Sequence, residues 1–306
     1  MIIDCHCDAL LKMWAHQVDF NNDLVLDVNY QKWLYSPVQI QCFAIYVPEY
    51  VPNESKFIVA LQMVDLFHEK IIKSYSNIKW IKEKADFDRL QAIEKGAILT
   101  LEGLDCIGSD LFKLRLLIQL GVRMIGLSWN YANLAVDGID ETRRAGLTHF
   151  GIEVIELANK EQVWVDLAHV SREGFQDALQ IANHVIVSHA NSRSICHHRR
   201  NLDDEQIKQL IKKNGLIGIT FVEKFVVNQG KATIEDLLQH IAYIIHLGGG
   251  EDHLVFGSDF DGTDRFIEDL VLIADYQNLD VAIHQKFHRK QCEKMEYLNF
   301  IRHFPS

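Results

Sequence analysis

The chain has 306 residues, 48% of them hydrophobic, and a formal net charge of −11 at pH 7. This length suits one large α/β domain, and we expect residues 1–306 to form a single domain because no linker-like segment interrupts them. The acidic balance argues against nucleic acid as a partner, since proteins that bind polyanions normally present a basic face.

The cysteines and the hydropathy pattern indicate the cellular compartment of the protein. Most of the six cysteines stand in apolar surroundings, which is typical of reduced, buried thiols in a reducing compartment. The sequence shows neither a secretory signal pattern nor a run of about 18 apolar residues. We therefore expect a cytoplasmic protein without a membrane partner.

The first predicted element is a strand over residues 1–4, which leads into the segment IDCHCDAL at residues 3–10. If the backbone stays extended, Asp4, His6 and Asp8 point to one face, and Cys5 and Cys7 point to the other. The Cys-x-Cys spacing differs from the Cys-x-x-Cys spacing of zinc ribbons and thioredoxin-like motifs. We interpret the segment as a His-x-Asp pair with two packed thiols behind it.

Further along the chain, short apolar runs alternate with longer amphipathic segments. The predicted strands cover residues 1–4, 40–47, 97–101, 123–127, 163–167, 185–188, 216–221 and 254–257. The predicted helices cover residues 55–75, 109–120, 150–160, 171–182, 203–213 and 234–247. This alternation predicts a parallel sheet of βαβ units, and eight strands are the number that a closed (β/α)8 TIM-type barrel needs. A doubly wound open sheet is the alternative, although no G-x-G-x-x-G motif follows the first strand.

Side chains of the kind that bind metals repeatedly follow the ends of these predicted strands. In an α/β barrel the carboxyl ends of the strands converge on one face, so we expect these side chains to form one site for two divalent cations. Each has an ordinary structural explanation as well, such as a helix N-cap for Asp259. Their shared position favours the metal site. The residues are His6, Asp8, Glu102, His169, His189 and Asp259.

Several motifs, in this order, resemble the renal-type (membrane) dipeptidases, zinc metallopeptidases among the metal-dependent amidohydrolase barrels. Beside IDCHCDAL they include TLEGLD, GVRMIGLSWN, VDLAHVS, VIVSHANSRSICHHRRN and VFGSDFDGT. The resemblance implies a cytoplasmic, bacterial-type dipeptidase with two Zn²⁺ ions per chain. It implies that His6 and Asp8 bind one ion, that His169 and His189 bind the other, and that Glu102 bridges them. Imidazole and carboxylate groups suit zinc.

The resemblance also implies a reaction. A hydroxide that bridges the two ions would attack the peptide carbon of a short L-Xaa-Xaa dipeptide, including one with a C-terminal D-residue. Asp259 matches the residue that moves the proton to the leaving amine. Arg200 matches the arginine that binds the free C-terminal carboxylate, whereas Arg199 is expected to be a solvated surface charge. The family further suggests a homodimer.

The segment LSWNYAN departs from the family pattern. Well-studied members place there a histidine that stabilises the oxyanion, whereas this chain has Trp129, with Asn130 beside it. Both side chains donate N–H groups but carry no charge, and we assign the oxyanion role to them. Two alternatives stay open: another amidohydrolase that acts on a non-peptide amide, and a catalytically weak metal-binding relative. Amidohydrolases that act on non-peptide amides usually begin with a His-x-His motif and often use a carboxylated lysine.

Overall fold

The computed structural model describes residues 1–305, which form nine β-strands and thirteen α-helices. The strands are β1 (Ile2–Asp4), β2 (Val38–Tyr46), β3 (Ile78–Trp80), β4 (Lys95–Glu102), β5 (Val122–Gly126), β6 (Trp164–Asp166), β7 (Val185–Val187), β8 (Leu216–Ile219) and β9 (Leu254–Phe256). The helices are α1 (Ala9–His16), α2 (Tyr30–Leu34), α3 (Asn53–Leu66), α4 (Lys84–Arg89), α5 (Leu111–Gln119), α6 (His149–Lys160), α7 (Arg172–Ile181), α8 (Asp204–Lys212), α9 (Glu223–Val226), α10 (Ile234–His246), α11 (Tyr276–Lys286), α12 (Arg289–Glu293) and α13 (Asn299–His303).

Eight of the strands close into a parallel barrel. Strand β1 lies between β2 and β9, and the pairing of β2 with β4 completes the ring. That pairing runs in register from Ile40 opposite Gly96 to Tyr46 opposite Glu102. The additional strand β3 pairs with the first half of β4. The predicted (β/α)8 barrel is thus confirmed, and each predicted strand is present within two residues at either end.

The helices agree less closely with the sequence pattern. The predicted helix over residues 55–75 begins at Asn53 as α3 and continues as a π-helical segment, Phe67–Ile72. The prediction missed α1, because this helix starts directly after the His-x-Asp pair. It also missed the short helices α2, α4 and α9 and the helices beyond residue 275. The longest α-helix, α3, has 14 residues. Within residues 1–305, no helix has the length and apolar composition that crossing a membrane requires.

Because successive side chains of a strand point to opposite faces of the sheet, the apolar side chains of the barrel form two layers. The larger layer fills the space between the strands and the surrounding helices. The smaller layer lies inside the barrel, where Phe300 of α13 and Phe304 pack at 4.8 and 5.0 Å (ring centroids) from Trp164, the first residue of β6. These rings fill the amino-terminal end of the barrel, so the carboxyl ends of the strands remain for a site.

The opening segment differs from its prediction because β1 ends at Asp4 and the strand alternation stops there. Cys5 belongs to the layer inside the barrel, and its thiol donates to the carbonyl oxygen of Phe256 at 2.8 Å. Cys7 belongs to the outer layer. The expectation that the two thiols share one face is therefore wrong. Both thiols are buried, as are the other four cysteines, and all six are free among the described residues.

Candidate metal centre and substrate cavity

All six predicted metal-site side chains lie at the carboxyl ends of the barrel strands. His6 and Asp8 follow β1, Glu102 ends β4, His169 follows β6, His189 follows β7 and Asp259 follows β9. Five of them are buried, and the side chain of Asp259 is 14% exposed. Asp4, which was expected on the face of the His-x-Asp pair, lies outside this group. Its carboxylate instead accepts hydrogen bonds from the backbone N–H and the hydroxyl of Ser258.

The first group of possible ligands surrounds the Nε2 atom of His6. This atom lies 3.4 Å from Oδ2 of Asp8 and 3.7 Å from Oδ1 of Asp259. The ligand atoms of these three residues all lie within 4.8 Å of one another. Asp259 therefore lies close enough to share a cation with the His-x-Asp pair.

The second group surrounds Glu102. Its Oε1 atom lies 2.9 Å from Nε2 of His169 and 3.8 Å from Nε2 of His189. Its other oxygen, Oε2, lies 3.6 Å from Nε2 of His6. One carboxylate oxygen thus faces His169 and His189, and the other faces His6, which is the arrangement that a bridging ligand requires.

Hydrogen bonds behind the two histidines of the second group fix their orientation. Nδ1 of His169 lies 2.7 Å from Oδ1 of Asn130, and Nδ1 of His189 lies 2.7 Å from the hydroxyl of Ser188. Because an amide oxygen only accepts, His169 carries its proton on Nδ1 and turns the lone pair of Nε2 towards Glu102. The amide oxygen of Asn130 therefore orients a candidate ligand.

Two buried aspartates at strand ends hold the loops that carry the candidate ligands. Asp4 joins the loop after β1 to the loop after β9, and Asp166 joins the loop after β6 to the loop after β7. One oxygen of each carboxylate accepts two backbone N–H bonds. For Asp4 the donors are His6 and Ser258, at 3.2 and 2.9 Å, and for Asp166 they are Ala168 and Ser188, at 3.0 and 2.9 Å.

Two of the candidate ligands have left-handed backbone conformations. The φ angle is 67° at His169 and 67° at Asp259. Aspartate and histidine tolerate this region better than most residues, but the conformation still costs free energy and is concentrated at functional sites. Both residues stand at the point where the chain leaves a strand and turns across the barrel mouth.

The electrostatics of the cluster indicate a deficit of positive charge. Burial raises the pKa of Glu102 well above its usual range, and Asp8 raises it further. Burial also raises the pKa of Asp259 to about 7, against the opposing charge of His6. Burial disfavours the protonated form of His6, but Glu102 and Asp8 together raise its pKa to about 10. Carboxylates that are held this close need a cation between them.

The donor set fits divalent cations. Within residues 1–305, Nε2 of His6 and Oδ1 of Asp8 are buried without a hydrogen-bond partner. Buried polar atoms are normally paired, so two such atoms side by side indicate a missing ligand. Imidazole nitrogens and carboxylate oxygens are common zinc ligands.

A cavity of about 210 Å³ opens above the cluster, and Arg200 lines it. Arg200 is 7% exposed. One terminal N–H of its guanidinium donates to the carbonyl oxygen of His189 at 3.3 Å. The Nε atom of the same group has no hydrogen-bond partner within residues 1–305. Arg199 also lines the cavity, but its side chain is 61% exposed and pairs with Asp140 at 2.7 Å. The structure therefore places Arg200, and not its neighbour, as a buried cation beside the candidate ligands.

Trp129 lines the same cavity, with its ring centroid 5.9 Å from that of His169 and 5.4 Å from that of Tyr46. Burial, and then the charge of Glu102, raise the pKa of Tyr46, which keeps its hydroxyl protonated and able to donate. Tyr46 and Lys224 also line the cavity, and neither was predicted from the sequence. Tyr46 is the last residue of β2, so its position at a strand end, together with its hydroxyl donor, is a sequence signal that identifies it.

Several known proteins are similar to this chain in sequence. The family model described as "Membrane dipeptidase (Peptidase family M19)" matches residues 1–306. An uncharacterized dipeptidase of Schizosaccharomyces pombe is 29% identical over 95% of this chain and 74% of its own length. Dipeptidase tcpJ of Claviceps purpurea is 32% identical over 79% of this chain and 58% of its own length.

A solved structure has the same fold. The metallo peptidase from Rhodobacter sphaeroides, liganded with a phosphinate mimic of the dipeptide L-Ala-D-Ala, superposes with a TM-score of 0.92 at 22% identity and covers 99% of both chains. The family model and the curated relatives confirm the resemblance seen in the sequence. This chain therefore belongs to the membrane dipeptidase family, peptidase family M19, and is a metal-dependent dipeptidase.

Proposed function

We propose that this dipeptidase uses two zinc ions to hydrolyse short L-Xaa-Xaa dipeptides, including those with a C-terminal D-residue. The observation that carries the proposal is the position of Glu102, because one of its oxygens faces His6 and the other faces His169 and His189. The L-Ala-D-Ala mimic in the Rhodobacter sphaeroides protein supports the substrate class, because that protein shares the fold.

In this proposal the first zinc ion would be held by His6 and Asp8, the second by His169 and His189, and Glu102 would contribute to both. When bound, two such cations lower the pKa of a shared water and polarise the peptide carbonyl. The same donors also accept manganese or cobalt, so the proposal names zinc on the preference of imidazole-rich sites.

The chain's own side chains supply the rest of the chemistry. Asp259 borders the cavity, and its carboxylate takes a proton from the attacking water and returns it to the leaving amine. Arg200 binds the free C-terminal carboxylate, because its guanidinium lines the cavity beside the candidate ligands. The indole N–H of Trp129 and an amide N–H of Asn130 stay the proposed neutral donors to the oxyanion, and the hydroxyl of Tyr46, which lines the same cavity, is a further one.

We also propose that residues 1–306 act as one catalytic domain, in the cytoplasm, on a small substrate and without nucleic acid. The site supports the first point, since its residues come from strands spread over the whole barrel. The buried, free thiols support a reducing compartment.

Metal analysis coupled to a hydrolysis assay tests the proposal. Protein reconstituted with zinc is expected to hold about two ions per chain and to cleave L-Ala-L-Ala and L-Ala-D-Ala. The Glu102→Ala variant is expected to lose activity and at least one ion, while the control Glu69→Ala, at an exposed surface pair, keeps both. A fully active enzyme with one ion contradicts the two-metal site, and cleavage of non-peptide amides alone would identify another amidohydrolase.

A further inference from the structure

One cation at the rim of the cavity is not used by the proposed reaction. Lys224, in α9, is exposed and lines the cavity, and its ammonium group forms neither a salt bridge nor a hydrogen bond within residues 1–305. Its Nζ atom lies 5.2 Å from the ring centroid of Phe225. The guanidinium carbon of Arg200 lies 5.6 Å from the same centroid, so the two cations are within about 11 Å of each other.

The other charges around the cavity already have partners or proposed roles. Arg199 pairs with Asp140 at 2.7 Å. In the proposed function the carboxylates of the metal centre would hold the zinc ions, and Arg200 would bind the C-terminal carboxylate of the substrate. Lys224 therefore remains as a surplus positive charge on the Arg200 side of the cavity.

The charge of Lys224 acts on the cavity as well as on the solvent. It helps to lower the pKa of His198, a further lining residue whose pKa burial and nearby cations reduce to about 4. His198 is therefore neutral at pH 7 and does not add to the positive charge. Its ring lies 4.5 Å (centroids) from that of Phe225, the ring that both Lys224 and Arg200 approach.

We infer that Lys224 binds a second carboxylate, on the side chain of the substrate's C-terminal residue. The preferred substrates are then dipeptides that end in aspartate or glutamate, in which two carboxylates meet two cations across Phe225. This inference rests on the proposed function, in which Arg200 holds the α-carboxylate. Because Lys224 is exposed, its ion pair is screened by solvent and changes selectivity without being required for hydrolysis.

Matched substrate pairs test the inference. L-Ala-L-Asp against L-Ala-L-Asn, and L-Ala-L-Glu against L-Ala-L-Gln, differ in charge and hardly in shape. At low salt we expect kcat/KM to favour the acid about two- to fivefold, the usual strength of an exposed ion pair. Lys224→Gln is expected to abolish this ratio, Lys224→Arg to keep it, and Lys224→Glu to reverse it. The control Lys290→Gln changes an exposed lysine of α12, remote from the cavity, and is expected to leave the ratio unchanged.

The outcomes separate this inference from the proposed function. Equal kcat/KM for acids and amides in the unmodified enzyme, or the same ratio in Lys224→Gln, overturns the inference. If L-Ala-L-Ala is still cleaved with two ions bound in that case, the proposed function stands. If the zinc-loaded enzyme cleaves no dipeptide at all, the proposed function fails, and the acidic subsite fails with it.

Discussion

Replacing Arg200 with alanine removes a buried cation from the wall of the substrate cavity. The residue is 7% exposed, and its Nε–H is not used within residues 1–305. A hydrogen bond between charged groups contributes about 1.5–3 kcal/mol, and every 1.4 kcal/mol changes a rate or binding constant about tenfold. If Arg200 binds the C-terminal carboxylate, its loss therefore lowers kcat/KM for a free dipeptide about ten- to a hundredfold.

The assay compares L-Ala-L-Ala with its C-terminal amide, because only the acid offers a carboxylate. The unmodified enzyme is expected to prefer the acid, and Arg200→Ala to erase most of that preference. Arg200→Lys is expected to restore only part of it, since an ammonium group lacks the planar fork of a guanidinium. Arg199→Ala is the matched control, because that neighbour is exposed and already paired with Asp140. Equal rates on the acid and the amide in the unmodified enzyme would refute the assignment.

Four further changes test other parts of the site and the fold. Asp259→Asn is expected to lower kcat about 10²–10⁴-fold with little change in KM, and near-normal turnover would exclude it as the proton carrier. Trp129→Phe is expected to lower kcat about 10²–10³-fold if the indole N–H stabilises the oxyanion, and an unchanged kcat would leave that role to Tyr46 or the metals. Asp166→Ala is expected to weaken zinc binding about 10–100-fold in a metal titration, with partial rescue by asparagine, which keeps an acceptor oxygen. Burial lowers the pKa of Lys95 from 10.5 to about 8, so between these pH values the folded state binds fewer protons than the unfolded state. The free energy of unfolding is therefore expected to rise with pH across this range. Urea titrations of the unmodified protein and of Lys95→Met, which lacks the titrating group, measure the difference.

The sequence predicts the barrel well because its strands are runs of β-branched and apolar residues separated by amphipathic segments. Strand β3 escaped prediction because the exposed Lys79 interrupts its short apolar pattern. The continuous apolar spacing of residues 55–75 predicts one helix, and it carries no signal for the π-helical segment from Phe67. Local patterns of this kind report burial, and they do not report the hydrogen-bond register within a helix.

The candidate site was predictable where one rule applied, namely that the carboxyl ends of parallel strands converge. Asp4 was misplaced because extending β1 beyond its last residue assumed strand geometry in a segment that turns. Lys224 and Phe225 escaped prediction because α9 follows β8 only after a loop, and an exposed lysine has no distinctive sequence signal. The use of Asn130 to orient His169 depends on a contact between residues 39 positions apart, which a single sequence does not specify.

The rings that fill the amino-terminal end of the barrel have a consequence for biosynthesis. Phe300 and Phe304 lie in the barrel interior together with residues of β1, although almost the whole chain separates them in sequence. Phe300 and Phe304 are synthesised after all nine strands. A chain that has formed the strands but lacks these two residues exposes the apolar side chains at the amino-terminal end of the barrel interior. Exposed apolar surface in incomplete chains favours aggregation and chaperone binding. A chain that is truncated before residue 300 is therefore expected to aggregate or to bind chaperones more readily than one that contains Phe300 and Phe304.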